Sequence, residues 1–177
     1  DAKGDRSRRP HQQDNPETYV HIVERSGKGI VISGTKAIVT GAPYMHEFLV
    51  MPSRNMGVAD ADFAVCCAVP IDAPGVTIVA RPAGRPGERL EHGAALFSRR
   101  YGQSTAVVIF DRVFVPWERV FLAGEWEHSG SLTYDYATHH RHSCIAARAG
   151  FGDLLIGAGA LICEANGFDP GRKASLR

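Results

Sequence analysis

Along residues 18–122 apolar side chains recur at period two over short stretches, and turn-forming residues separate the stretches. Residues 19–23 alternate, and Ser26, Gly27, Lys28 and Gly29 turn the chain into the next run. Two β-branched runs, 30–33 and 36–39, flank Gly34-Thr35, which predicts a tight β-hairpin centred on that pair. The second run stops at Thr40-Gly41. There a hydroxyl stands beside a backbone amide that no side chain shields, a corner able to hydrogen-bond a flat, heteroatom-rich ligand. Runs at 48–51, 63–69, 76–80 and 106–110 follow, divided by Gly, Pro and Asp clusters. Strands at this spacing, with no helices between them, predict an antiparallel barrel or sandwich. Residues 82–93 are basic, rich in Pro and Gly and without apolar period, which predicts a surface loop.

The pattern changes after Gly130. From 131 to 166 there is no proline, and Gly167 with Pro170 reads as a helix stop. Ile145, Ala149, Leu155, Ile156, Ala160 and Ile162 fit no strand of ordinary length, so the spacing predicts a helix over about 134–165. Gly150, Gly152, Gly157 and Gly159 each cost about 1 kcal/mol relative to alanine in an exposed helix, which makes sense where another helix or a ligand approaches closely. The chain is thus expected to be α+β: a polar arm at 1–17, a central antiparallel β domain at 18–125, and at 131–177 the first helix of a helical domain. An apolar helix with no partner and an abrupt polar start add the expectation that the chain is the middle of a larger protein.

Composition narrows the function classes. The 177 residues carry 20 Lys and Arg against 19 Asp and Glu, which leaves no electrostatic case for nucleic acid or an acidic membrane surface. The longest apolar run, 154–163, contains two glycines and is too short to span a bilayer. The first sixteen residues are polar and show no signal-peptide pattern. Cys66, Cys67, Cys144 and Cys163 form no C-x-x-C pair and read as reduced thiols of a cytoplasmic protein.

Several segments in register carry a family resemblance. Lys3, Gly4, Asp5, Arg6 and Ser7 come first, followed by the strands around Thr40-Gly41 and then His46-Glu47. Val69-Pro70, Pro74-Gly75 and the stretch from Val107 through Pro116, Trp117 and Glu118 to Leu122 come after. In this order the chain resembles the flavoprotein family of 4-hydroxyphenylacetate 3-hydroxylase and 4-hydroxybutyryl-CoA dehydratase, whose architecture is that of the acyl-CoA dehydrogenases. The Lys-Gly-Asp-Arg start, His46-Glu47 and Glu125-Trp126-Glu127 lean to the dehydratase branch, and Val115-Pro116-Trp117-Glu118 to the hydroxylases.

The resemblance implies FAD, or FADH2 delivered by a separate flavin reductase, a small aromatic or acyl-CoA substrate, and a homotetramer. It assigns Lys3, Gly4, Asp5, Arg6 and Ser7 to a segment along the flavin, where Gly4 permits close backbone approach and Arg6 neutralises negative charge. Thr40 and Gly41 match the turn that meets the flavin ring, with Pro43, Tyr44 and His46 beyond it. His139, His140, His142 and Cys144 form a second cluster, in which His140 and Cys144 share a helical face and could bind a metal. The plainer alternative is a polar helix start facing a cavity. By resemblance, His140 matches an iron–sulfur ligand of the dehydratases, but Ala147 stands where their next thiolate would be, so no four-iron cluster is expected. Thr105, near Gln103, aligns with their active-site glutamate, and His140 and Arg141 could line a phenol pocket. A reduced-flavin-dependent aromatic hydroxylase, a dehydratase-like flavoenzyme and a non-catalytic fragment all remain open.

Overall fold

The computed structural model describes residues 4–81 and 102–168, so the expected loop at 82–93 lies outside the described residues. The chain divides into two compact units, Asp1–Thr133 and Tyr134–Arg177. Among the described residues the first holds seven strands: β1 (His21–Ser26), β2 (Gly29–Thr40), β3 (Glu47–Val50), β4 (Val65–Pro70), β5 (Val76–Arg81), β6 (Thr105–Pro116) and β7 (Val120–Ala123). They form a four-stranded sheet in the order β1-β2-β6-β5 and a three-stranded sheet in the order β3-β4-β7. Each pairing among them is antiparallel. With the long helix α1 (Ser129–Ala165) this is the α+β arrangement expected from the pattern.

One apolar core joins the inner faces of both sheets. Ile22, Ile30 and Ile32 meet Val108, Phe110, Val113 and Val115 of β6, and Val50, Val65 and Val69 contribute from the second sheet. Burying each such side chain contributes about 1.5–3 kcal/mol, and together they set the register. Cys67 lies wholly inside this core, and burial pushes its thiol up to about 12; Cys66 is raised in the same direction by burial. Both are inert, structural thiols, and all four cysteines are free.

The hairpin expected at Gly34-Thr35 does not form. Gly34 sits inside the continuous strand β2, and the two-residue turn is Gly27-Lys28, with Ser26 paired to Gly29. Gly34 (φ +127°) marks a bulge: Ile32 pairs with Val113 and Gly34 with Phe110, so the partner strand skips Asp111 and Arg112. Arg112 takes φ +49°, donates its N–H to the Ser33 hydroxyl at 3.0 Å, and pairs through its guanidinium with Glu24 at 2.9 Å. The offset keeps Phe110 and Val113 both inward. It also breaks period two, which is why the alternation visible in sequence ended at 110 while β6 runs on to Pro116.

The helix begins earlier than the spacing predicted. Ser129 is fully buried; its hydroxyl donates to the Trp126 carbonyl at 2.6 Å and accepts from Met56 N–H at 2.8 Å. Its far end closes as expected at Gly167 (φ +74°). Phe168 N–H reaches the Cys163 carbonyl and Gly167 N–H the Glu164 carbonyl, both at 2.9 Å. In the second unit Ile145, Phe151, Leu155, Ile156 and Leu161 are all exposed, and no described residue comes within 4 Å of where a side chain would start at Gly150, Gly152, Gly157 or Gly159. Counted as one helix rather than one uninterrupted run, this segment is long and apolar enough to cross a membrane, which corrects the length estimate made from 154–163.

Gly34 offers a test of the bulge. A Cβ there would drive into the Tyr19 carbonyl at a φ that L-residues avoid. Gly34→Ala should therefore lower unfolding stability by roughly 1–3 kcal/mol in denaturant titration. An unchanged midpoint would mean that the strand relaxes freely at this point.

Candidate functional site

The segment preceding β1 is held by polar contacts rather than by a core. From residue 4 to residue 18 only Pro10 and Gln13 are buried. The Gln13 amide braces the arm: its Nε2 donates to the carbonyls of Asp5 (2.8 Å) and Arg8 (3.3 Å), and its Oε1 accepts from Asp5 N–H (3.0 Å). Gly4 has no side chain because one would run into that amide. Within the arm it admits Gln13, and it also lines the cleft described next. Asp5 accepts from the Ser7 hydroxyl at 2.7 Å and from Ser7 N–H at 2.9 Å, and these bonds hold its carboxyl below the usual range. Arg8 pairs with Asp14 (2.6 Å) and Asp5 (3.5 Å). Arg6 is exposed and makes no hydrogen bond or ion pair with any described residue. Lys3 lies outside the described residues.

The arm and β2 enclose a cleft of about 500 Å³, lined by Gly4, Asp5, Gln13, Asp14 and Thr18 on one side and Ala37 on the other. Most of its lining surface is apolar, with the side chains of Asp5, Gln13 and Asp14 as its polar points, so it suits a largely apolar ligand that carries a few N–H or O–H groups.

Beyond Ala37 the strand is strained. A second register shift lies between Lys36 and Val39, and Ile38 adopts φ +60° with 81% of its surface exposed. A β-branched residue in the left-handed region is unfavourable by about 1–3 kcal/mol. Thr40 follows, exposed and directly paired with Thr105 across β2 and β6, so the structure brings these two sequence-predicted residues together. Gly41 (φ +75°) caps a 3-10 turn over Ala42–Tyr44. Its N–H is already donated to the Ser104 carbonyl at 2.9 Å. The free amide expected at this corner is thus engaged, and the Thr40 hydroxyl is the donor the corner presents. Tyr44 and His46 are exposed beyond it.

His140, Arg141 and Cys144 belong to the second unit. The His140 ring stacks on Tyr136 with centroids 5.9 Å apart, and its nitrogens lie 3.7 and 3.8 Å from the Cys144 sulfur. The shared helical face is real, but among the described residues no three His, Cys, Asp or Glu side chains gather in a metal-binding group.

Sequence reasoning missed three residues. Gln13 looked like part of a solvated arm, and Ile38 like an ordinary strand residue. Asp60, fully buried, accepts from His11 Nδ1 (2.6 Å), His11 N–H (3.2 Å), Gly57 N–H (3.2 Å) and Arg9 Nη1 (3.3 Å). Burial opposes its ionisation, but these hydrogen bonds prevail and hold its carboxyl below the ordinary value. No local signal could reveal it, because its main partners lie 49 and 51 residues away.

Comparison with known proteins gives this geometry a context. Residues 1–122 match the family model described as 4-hydroxyphenylacetate 3-hydroxylase N terminal. The 4-hydroxybutyryl-CoA dehydratase/vinylacetyl-CoA-Delta-isomerase of Clostridium aminobutyricum is 38% identical, over 94% of this chain and 34% of its own length. The 4-hydroxyphenylacetate 3-monooxygenase oxygenase component of Thermus thermophilus is 32% identical, over 93% and 34%. Among solved structures, an oxygen-tolerant archaeal 4-hydroxybutyryl-CoA dehydratase from N. maritimus superposes with a TM-score of 0.80 at 38% identity, covering 94% of this chain and 33% of that one. The oxygenase component of 4-hydroxyphenylacetate 3-monooxygenase complexed with FAD and 4-hydroxyphenylacetate gives 0.71 at 32% identity, covering 90% and 33%. Glutaryl-coenzyme A dehydrogenase, 16% identical with a TM-score of 0.59 over 86% of this chain and 34% of that one, shares the fold alone. The chain spans about a third of the length of the relatives it matches. A family model covering both sheets, and relatives aligned from the arm into α1, show that the β domain has an acyl-CoA dehydrogenase-like fold and that the chain belongs to the 4-hydroxyphenylacetate 3-hydroxylase family.

Proposed function

We propose that this chain forms the central part of an FAD-dependent enzyme, a reduced-flavin-dependent aromatic hydroxylase. The observation that carries the reading is the cleft in which arm residues Gly4 and Asp5 face the β2 bulge at Ala37. The resemblance assigns the arm segment to flavin, together with the Thr40-Gly41 turn at the end of the same strand β2. The residues present fit such a ligand. Acceptors from Asp5 and Asp14 suit the N–H and hydroxyl groups of a flavin and its ribityl chain, and the exposed Arg6 suits a phosphate. The same carboxylates would repel a phosphate placed within the cleft.

When bound, FAD, reduced by a separate reductase, supplies the activation of O2. The chain's own residues bind, orient and exclude water. The Thr40 hydroxyl offers a hydrogen bond to the ring edge, and Thr105 supports it from the neighbouring strand. Ile38, held outward by its strained bulge, presents an apolar surface that keeps water from a reactive site. We favour oxygen delivery over dehydration because Ala147 stands where the resemblance places the next thiolate of the dehydratases. The dehydratase reading keeps support from the 38% identity to that enzyme.

The full-length subunit, supplied with a flavin reductase, NADH and 4-hydroxyphenylacetate in air, should form the catechol product. Absence of product with any phenol, together with anaerobic dehydration of 4-hydroxybutyryl-CoA and about four irons per chain, would establish the dehydratase instead. The double substitution Arg6→Ala with Thr40→Val should weaken FAD binding about tenfold or more in fluorescence titration, because each removes one polar partner. Unchanged affinity would move the flavin elsewhere. We also propose a homotetramer, since a single helix cannot bury the apolar side chains of α1. Light scattering should give four subunits, and a monodisperse monomer would refute this.

A further inference from the structure

We propose that Asp60 is a positioning residue whose buried carboxylate fastens the arm in the conformation that borders the cleft. This rests on the reading that the cleft holds flavin. Asp60 lies in the 3-10 segment Val58–Phe63 of the β domain and has no exposed surface. Of its four donors, three belong to the arm: His11 Nδ1 and His11 N–H on one oxygen, and Arg9 Nη1 on the other, beside Gly57 N–H from its own segment. The His11 bond at 2.6 Å is the shortest of the four.

A carboxylate so placed could merely stabilise the fold. Its position in a continuous chain of contacts argues for more. His11 and Arg9 flank the buried Pro10 and define a 3-10 turn over Pro10–Gln12. That turn closes on itself through Gln12 N–H to the Arg9 carbonyl and Arg9 N–H to Gln12 Oε1, both at 3.0 Å. Gln13 comes next, and its amide grips Asp5 from both sides. Asp5 and Gly4 then form the wall of the cleft. Each link is a directional hydrogen bond, so displacement at Asp60 is transmitted to the wall. Apolar burial cannot substitute, because Pro10 is the sole buried apolar side chain between residues 4 and 18.

The chemistry of substitution is specific. Asparagine at 60 keeps the shape but turns one acceptor into an NH2 group that faces donors already in place, either Arg9 Nη1 and Gly57 N–H or the two His11 N–H groups. Buried donors left without acceptors are costly. In the full-length subunit Asp60→Asn should lose hydrogen-exchange protection at Asp5, Gln12 and Gln13 while the amides of β2 and β6 keep theirs. FAD binding should weaken about tenfold or more, in line with loss of hydrogen bonds to a charged group. His11, with 33% of its side chain exposed, provides a second variant that spares the β domain should Asp60→Asn fail to fold. His11→Ala should loosen the arm and weaken FAD, and His11→Asn, whose amide nitrogen can stand near the position of Nδ1, should restore most of both. Loss of arm protection with unchanged FAD affinity would overturn the proposal, as would equal affinities for His11→Ala and His11→Asn. A wild-type subunit that binds no FAD would instead refute the flavin reading. The exchange data on the arm would then still decide whether Asp60 holds it.

Discussion

The antiparallel pairing of β2 with β6 is the contact on which the β domain depends. Both strands run twelve residues, and together they carry Ile30, Ile32, Val108, Phe110, Val113 and Val115 into the core. Two register shifts interrupt the pairing, and each does different work. The shift at Gly34 re-phases β6 so that Phe110 and Val113 both point inward. The shift at Ala37-Ile38 leaves Ile38 exposed, next to the cleft residue Ala37 and ahead of the Thr40–Thr105 pair. A straight, unbulged pairing would place one half of β6 with its apolar side chains in water. One strand pair thus carries both the irregularity that completes the core and the one that borders the candidate site.

The arm is secured by a different kind of force. The sheets are cemented by area removed from water, which is non-directional, whereas the arm is held by hydrogen bonds to Asp60 and Gln13. Directional bonds fix position well but individually contribute little net stability, so an arm held this way can open locally without unfolding the β domain.

Helix α1 poses a complementary problem. Its apolar residues surround the helix rather than forming a single stripe, and in the second unit Ile145, Leu155, Ile156 and Leu161 are exposed. Since the chain spans about a third of the length of its relatives, the surfaces that would cover this helix in a full-length member of the family are not contained in residues 134–168. Gly150, Gly152, Gly157 and Gly159, which no described residue approaches within 4 Å, leave room for close helix contacts.

Period-two alternation in the β domain and the proline-free stretch after Gly130 determined the α+β class and most strand positions, because inward–outward patterning is written residue by residue. Gly167 announced the helix end for the same local reason, since the closing turn needs a positive φ. The ordered motifs near Lys3, Thr40 and Trp117 pointed to the family. What the sequence could not determine was non-local. Gly34 looked like a hairpin turn because its left-handed φ serves a turn or a bulge equally well, and only the Tyr19 carbonyl packed against it selects the bulge. Gly41 offered an amide on paper, but Ser104, far along the chain, had already engaged it. Asp60 carries no local signal in the sequence, and only folding sets it against Arg9 and His11. Local pattern follows from each residue's own conformational preferences, but hydrogen-bond partners are chosen by proximity across the fold, and only the tertiary structure creates that proximity.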